Sequence, residues 1–216
     1  MKELKYLNIG YIKNTLQSDI INYLTTNTKN SYACVNNNEV LALLEEKNIN
    51  LIIMEFNLDF IKKIRKFDKK IQILVLTEEV KEQYLVEAIK LEYISFISKE
   101  LSKNELSINL KKCIRNLDSN VSNIINLKND FIFDSYNQTL LKNSNIVSLS
   151  KKEVTYLDFM LSNLNRVMSY DEINKNIWQG SMTNDALRSI VKELRKKVYK
   201  ELIKNISGVG YRIDLI

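Results

Sequence analysis

The sequence predicts an α/β protein, with a doubly wound, five-stranded parallel sheet in its first half and a smaller α+β domain after it. Three observations carry this. Short apolar runs alternate five times with amphipathic stretches up to about residue 117, the pattern of strand, crossover and parallel strand. A polar stretch, 118–128, is followed by short alternating segments, then helices opened by Ser-x-x-Glu boxes, then a glycine hairpin. The 216 residues also suffice for two compact units. The expected organisation is a first domain over 1–117, a linker over 118–128 and a second domain over 129–216.

In the first domain, LKYLNIGYI (4–12) reads as a strand, and the next stretch places Leu16, Ile20, Tyr23 and Leu24 at helical spacing. YACV (32–35) is a second short strand and NEVLALLEEKN a helix. The third strand, around 50–56, is a near-continuous apolar run, as expected where both faces of a parallel sheet are covered. A short helix from Phe60 to Lys66, the strand IQILVLT (71–77), the helix KEQYLVEAIKLE, the strand ISFIS (94–98) and the helix KNELSINLKKCIRNL complete the series. Ligands of such sheets sit at the carboxyl ends of the strands, and Glu55, Thr77 and Lys99 fall there.

In the second domain, DFIFDSYNQTLLKNSNIVSLS reads as a small antiparallel sheet. Ser150 with Glu153 and Ser169 with Glu172 form capping boxes ahead of two helices. The first helix buries Tyr156, Leu157, Met160, Leu161 and Leu164, and the second turns Ile173, Ile177 and Trp178 inward. A third helix, about Asp185 to Val198, buries Leu187, Ile190, Val191, Leu194 and Val198. Its other side carries Arg188, Ser189, Lys192, Arg195, Lys196 and Tyr199. In ISGVGYRIDLI, two glycines bracket a valine, and a tight hairpin with positive backbone angles is expected.

Composition narrows the chemistry. The chain has no histidine and only two cysteines, Cys34 and Cys113, far apart, so histidine acid–base catalysis and an ordinary zinc site are excluded. Both thiols are expected to be buried and free, as in a reducing compartment. The longest apolar runs, such as LIIM and ILVL, fall far short of the roughly 20 residues that span a bilayer. The opening MKELKYLNIG lacks the apolar core of a signal peptide. A cytoplasmic protein with no membrane partner is the expectation. Net charge is +6, and residues 183–204 hold seven basic side chains against three acids. A polyanion partner fits that excess, and a solvated helix face is the plain alternative.

On LVLTEE, FISKEL and the five-fold alternation, residues 4 to about 117 resemble the receiver domain of bacterial response regulators. The resemblance implies an acid pair after the first strand that binds Mg²⁺ and an Asp ending the third strand that accepts phosphate. It also implies a hydroxyl ending the fourth strand, a Lys ending the fifth and an aromatic switch residue. Thr77, Lys99 and Phe96 match the last three, whereas Glu55 falls on the phosphoacceptor and Ile12 and Lys13 fall on the acid pair. Residues 11–14 contain no acid at all, and Glu carries its carboxylate one methylene further out than Asp. The expectation is therefore no metal site, no cofactor, no catalytic residue and no aspartyl phosphate, that is, not an enzyme. Three roles for Glu55 stay open. It pairs with Lys99, and with Lys13, in place of the phosphoryl group; it is merely a polar residue at a strand end; or the crevice takes a ligand or partner.

LSKKEVTYLDFML, NIWQ, ALRSIVKELRKKV and the GVGY turn together resemble the winged-helix effector domain of the OmpR/PhoB family, over about 130–216. That implies double-stranded DNA as partner, bound at two promoter half-sites by a homodimer. The dimer would form through the receiver face of helix 82–91, strand 94–97 and helix 102–117, with RNA polymerase a further partner. Arg188, Ser189 and Lys192 are expected to read bases, and Arg195, Lys196 and Lys200 to meet phosphates, with Tyr199 on the same face. Lys204 and Arg212 would contact phosphate beside the hairpin, where Ser207 replaces a frequent arginine. An internal ion pair is the alternative for Arg195. The resulting expectation is a transcriptional regulator of the response-regulator type that works without phosphorylation. A protein-interaction module, or a regulator whose receiver binds a signal, is the alternative.

Overall fold

The computed structural model describes residues 2–119 and 122–215. They fall into two compact units, Met1–Ile124 and Ile125–Ile216.

The first unit runs β1 (Asn8–Ile12), α1 (Ser18–Asn27), β2 (Asn30–Cys34), α2 (Asn37–Glu46), β3 (Leu51–Glu55), α3 (Leu58–Phe67), β4 (Gln72–Thr77), α4 (Glu82–Leu91), β5 (Ile94–Ser98) and α5 (Lys103–Ser119). The sheet is parallel throughout, in the order β2-β1-β3-β4-β5. Its inner strands are buried on both faces: Leu51, Ile52, Ile53, Ile73, Leu74 and Val75 have no exposed surface, which is why they lack polar alternation. The expected first strand is shorter than its sequence suggests. Lys2–Tyr6 form a 3-10 helix, and Leu4 and Leu7, spaced one such turn apart, are both buried. The strand begins only at Asn8.

In the second unit, β6 (Ile124–Asn126), β7 (Phe131–Asp134), β8 (Thr139–Lys142) and β9 (Asn145–Ile146) form a four-stranded sheet in that order. The expected linker 118–128 thus contains a strand; its residues 120 and 121 lie outside the described residues. Helix α6 (Lys151–Leu161) starts at the Ser150–Glu153 box, and β10 (Met168–Ser169) leads into α7 (Tyr170–Ile173) at the Ser169–Glu172 box. The helical path continues as a π-helix over Asn174–Trp178, ahead of α8 (Asn184–Lys197). Then β11 (Ile203–Ile206) and β12 (Gly210–Ile213) make an antiparallel hairpin, with β10 on the other side of β12. Tyr156, Leu157 and Met160 of α6 pack against Leu187, Val191 and Leu194 of α8 in one core. Ile190 and Trp178 are half-buried at its margin.

Candidate nucleic-acid interface and the carboxyl edge of the parallel sheet

Parallel register brings Ile12, Glu55, Thr77 and Ser98 to one edge of the first sheet, with Lys13 and Lys99 next in line. Lys99 Nζ lies 3.1 Å from Glu55 Oε1 and 3.5 Å from Glu78 Oε1. Its ammonium is raised above the ordinary lysine value, first by the hydrogen bond to Glu55 and further by Glu78. The ladder fixes where Lys99 stands, just past the end of β5, since its N–H donates to the Thr77 carbonyl at 3.2 Å. The Thr77 hydroxyl turns away from the pair and donates to the Glu79 carbonyl at 2.7 Å. Glu55, Thr77, Lys81, Tyr84 and Lys99 line a concavity of about 270 Å³.

Ile12 and Lys13 do not join this group. Ile12 lines a different depression with Asn36, Asn37 and Asn38, and among the described residues no ion pair joins Lys13 to Glu55. The donor set does not fit Mg²⁺, which needs several hard oxygens. Both carboxylates here, Glu55 and Glu78, lie against the Lys99 ammonium at the distances given above, and the end of β1 supplies no acid.

Phe96 belongs to an aromatic trio that sequence reading did not identify. Phe56 stacks on Tyr84 of α4 with ring centroids 3.9 Å apart, and Phe96 lies 5.9 Å from Phe56. The connection after β3 is only Phe56 and Asn57, because the Asn57 side chain caps α3 by accepting from the Phe60 N–H at 3.0 Å. That tight start fixes Phe56 beside Glu55.

In the second unit, Thr183 caps α8, its hydroxyl accepting from the Ala186 N–H at 3.1 Å. Arg188, Lys192, Arg195, Lys196, Lys200 and Tyr211 line an open groove of about 520 Å³ between this helix and the hairpin. Arg188, Ser189, Lys192, Lys196 and Lys200 are exposed. Arg188 is loosely placed against Asp185 at 3.7 Å, and Lys196 pairs with Glu193 at 2.8 Å.

Four expected DNA contacts have partners inside the fold. Arg195 is half-buried, and its Nη2 and Nε donate to the Ile203 carbonyl at 2.6 and 3.2 Å. It therefore turns toward the hairpin, and its partner is a carbonyl, not the acid of the internal ion pair given as its alternative. The Tyr199 ring packs near Phe131, and its hydroxyl accepts from the Lys128 N–H at 3.4 Å. Lys204 Nζ and Arg212 Nε lie 2.9 and 2.7 Å from the Asp214 carboxylate. Lys197, which sequence reading gave no role, pairs with the buried Glu153 at 2.7 Å. Trp178 is half-buried, and Lys152 Nζ sits 5.0 Å from its ring centroid and donates to the Ile177 carbonyl.

Among the described residues no helix is long and apolar enough to cross a membrane, and no cluster of three or more His, Cys, Asp or Glu side chains is placed to hold a metal.

Two family models match the chain in succession. The response regulator receiver domain matches residues 13–111, and the C-terminal domain of transcriptional regulatory proteins matches residues 143–213. The response regulator protein PmrA of Pseudomonas aeruginosa is 31% identical over 70 residues, 32% of each chain. The transcriptional regulatory protein CusR of Escherichia coli strain K12 is 24% identical over 178 residues, covering 77% of this chain and 78% of that one. The response regulator DrrB of Thermotoga maritima, an OmpR/PhoB homologue, shares the fold with a TM-score of 0.68 at 15% identity, covering 97% of this chain and 99% of that one. With both domains matched in this order, the chain belongs to the OmpR/PhoB family of response regulators, transcriptional regulators in which a receiver domain precedes a winged-helix DNA-binding domain.

Proposed function

We propose that this protein selects promoter DNA as a homodimer in the cytoplasm and does so without aspartyl phosphate. The observation that carries the reading is the Glu55–Lys99 pair at 3.1 Å, on an edge where β1 offers Ile12 and Lys13. A carboxylate held to that lysine supplies, permanently, the negative charge that a phosphoryl group supplies transiently. The pair is half-exposed and therefore screened by salt, so it biases the receiver and does not bolt it. Nothing at the edge is arranged for group transfer, and the receiver acts by binding alone. On DNA, Arg188, Ser189 and Lys192 face base edges, while Lys196 and Lys200 meet phosphates. Dimerisation through α4, β5 and α5 and contact with RNA polymerase complete the proposal.

A second reading is favoured by the 270 Å³ concavity beside the pair: a signal molecule or partner enters there and displaces Lys99. One experiment separates the two. Genomic fragments are captured by the untreated full-length protein at near-physiological salt, with its intact mass followed during incubation with a small phosphodonor and Mg²⁺. Fragments sharing a repeated half-site about one helical turn apart, with no gain of phosphate, are expected. A phosphate adduct sinks phosphorylation independence, and capture only after a cell extract is added favours the signal-binding receiver.

A further inference from the structure

Between α4 and β5 the backbone takes two successive positive-φ steps without a glycine. Glu92 has φ 54 and ψ 165, and Tyr93 has φ 50. The first lies in a region essentially reserved for glycine, and such a conformation persists only where its surroundings over-determine it. Two groups of bonds do so here. From the end of α3, buried Arg65 donates to the carbonyls of Leu91 at 2.8 Å, Glu92 at 2.7 Å and Ile71 at 2.9 Å. Burial lowers its guanidinium to about 10, still a full cation near neutrality. From the other side come residues that directly precede β6. The fully buried Asn123 accepts the Tyr93 N–H through Oδ1 at 2.7 Å, and the Ser122 hydroxyl donates to the Glu92 carboxylate at 2.7 Å. Ser122 Oγ also accepts the Ile124 N–H at 3.0 Å.

We propose that Ser122 and Asn123 are a latch that carries the state of the receiver into the segment leading to the DNA-binding domain. The path is contiguous. Helix α3 begins three residues after the last residue of β3 and carries Arg65 in its last turn; α4 begins beside the Phe56–Tyr84 stack and ends at the strained turn. A shift of α3 moves Arg65 and a shift of α4 moves the Leu91 and Glu92 carbonyls it grips, and the turn at Glu92–Tyr93 can relax only by releasing Ser122 and Asn123. The next residue, Ile124, opens β6. Spatial continuity alone does not establish coupling, so the latch must be tested as an interaction between two perturbations.

The inference deepens the proposed function and rests on it in one respect, the use of Lys99→Ala to disturb the receiver. The full-length protein and its Lys99→Ala, Asn123→Ala, Asn123→Asp and doubly substituted forms are compared by amide exchange over residues 92–94 and 124–127. Lys99→Ala is expected to speed exchange in both segments by roughly three- to ten-fold, the range of one ordinary hydrogen bond. In the Asn123→Ala background the response at 124–127 disappears, while Asn123→Asp, which keeps an acceptor oxygen for the Tyr93 N–H, preserves it. An unaltered response in Asn123→Ala, or no response at 124–127 in the otherwise native chain, overturns the latch. Because exchange is read without DNA, failure of DNA selection would sink the proposed function and leave this test standing.

Discussion

Arg188 and Arg195 sit about two turns apart on α8, and sequence spacing assigns them to one face, yet their surroundings give them different work. Arg188 is exposed with only a loose contact to Asp185, whereas both Nε and Nη2 of Arg195 are spent on the Ile203 carbonyl. Arg195 thus positions the hairpin against α8, the helix proposed to face DNA. Replacing Arg188 by Ala is expected to leave folding within about 0.5 kcal/mol while weakening the selected site by about 1–3 kcal/mol. Replacing Arg195 by Ala is expected to lower stability by about 1.5–3 kcal/mol, the range for hydrogen bonds to a charged group. Urea unfolding paired with DNA titration at fixed salt checks both. Equal stabilities with equal losses of affinity would put Arg195 back among the DNA contacts.

At the scale of elements, the β11–β12 hairpin shows how a right expectation can rest on half a reason. Gly208 does have positive φ, 72°, with open space where a side chain would stand. Gly210 does not; its place is fixed by packing, since a Cβ there would lie 1.9 Å from the Met168 carbonyl oxygen of β10. Gly208→Ala should therefore cost about 1–2 kcal/mol, the ordinary left-handed penalty. Gly210→Ala should cost about 3 kcal/mol or more, because backbone must move. Comparable unfolding midpoints for the two would refute the distinction. The alternating sheet, the capping boxes and the order of helices were legible because each depends on residues within a few positions of one another. The β10 contact was not, because two residues of strand carry no periodic signal. The Glu153–Lys197 pair spans 44 residues and leaves no local trace either. Asp214 was closer to reach. Lys204 and Arg212 stand directly opposite in the hairpin register, like charges so placed repel, and an acid two residues on relieves them.

For the whole molecule, acid is the condition under which the two units should part company. Carboxylates held below their usual range are concentrated in the second unit: Glu153, Glu172, Glu193 and Asp214, against Glu105 in the first. Most are at the surface, where solvent and salt blunt their contribution. Glu153 is different, being almost wholly buried in the α6 cap against α8. Burial works against its charge and is outweighed by the Lys197 ammonium together with the donors of Ser150. A carboxyl depressed in the folded state stabilises fully above its unfolded value, about 4.3 for Glu, and that stabilisation is lost as pH falls through the folded value. The second unit is therefore expected to weaken first between about pH 5 and 3, on the reference values above. Trp178 is the sole tryptophan and lies in that unit, so its fluorescence follows the second unit while far-ultraviolet circular dichroism follows both. In urea at pH 7 the two probes should nearly coincide; at pH 4 the fluorescence midpoint should fall ahead of the other. Replacing Glu153 by Gln should reproduce much of that gap at neutral pH, because it keeps an oxygen acceptor for the cap but leaves Lys197 without its partner charge. If instead both probes shift together at every pH, the two units do not unfold separately and the weakening cannot be assigned to Glu153.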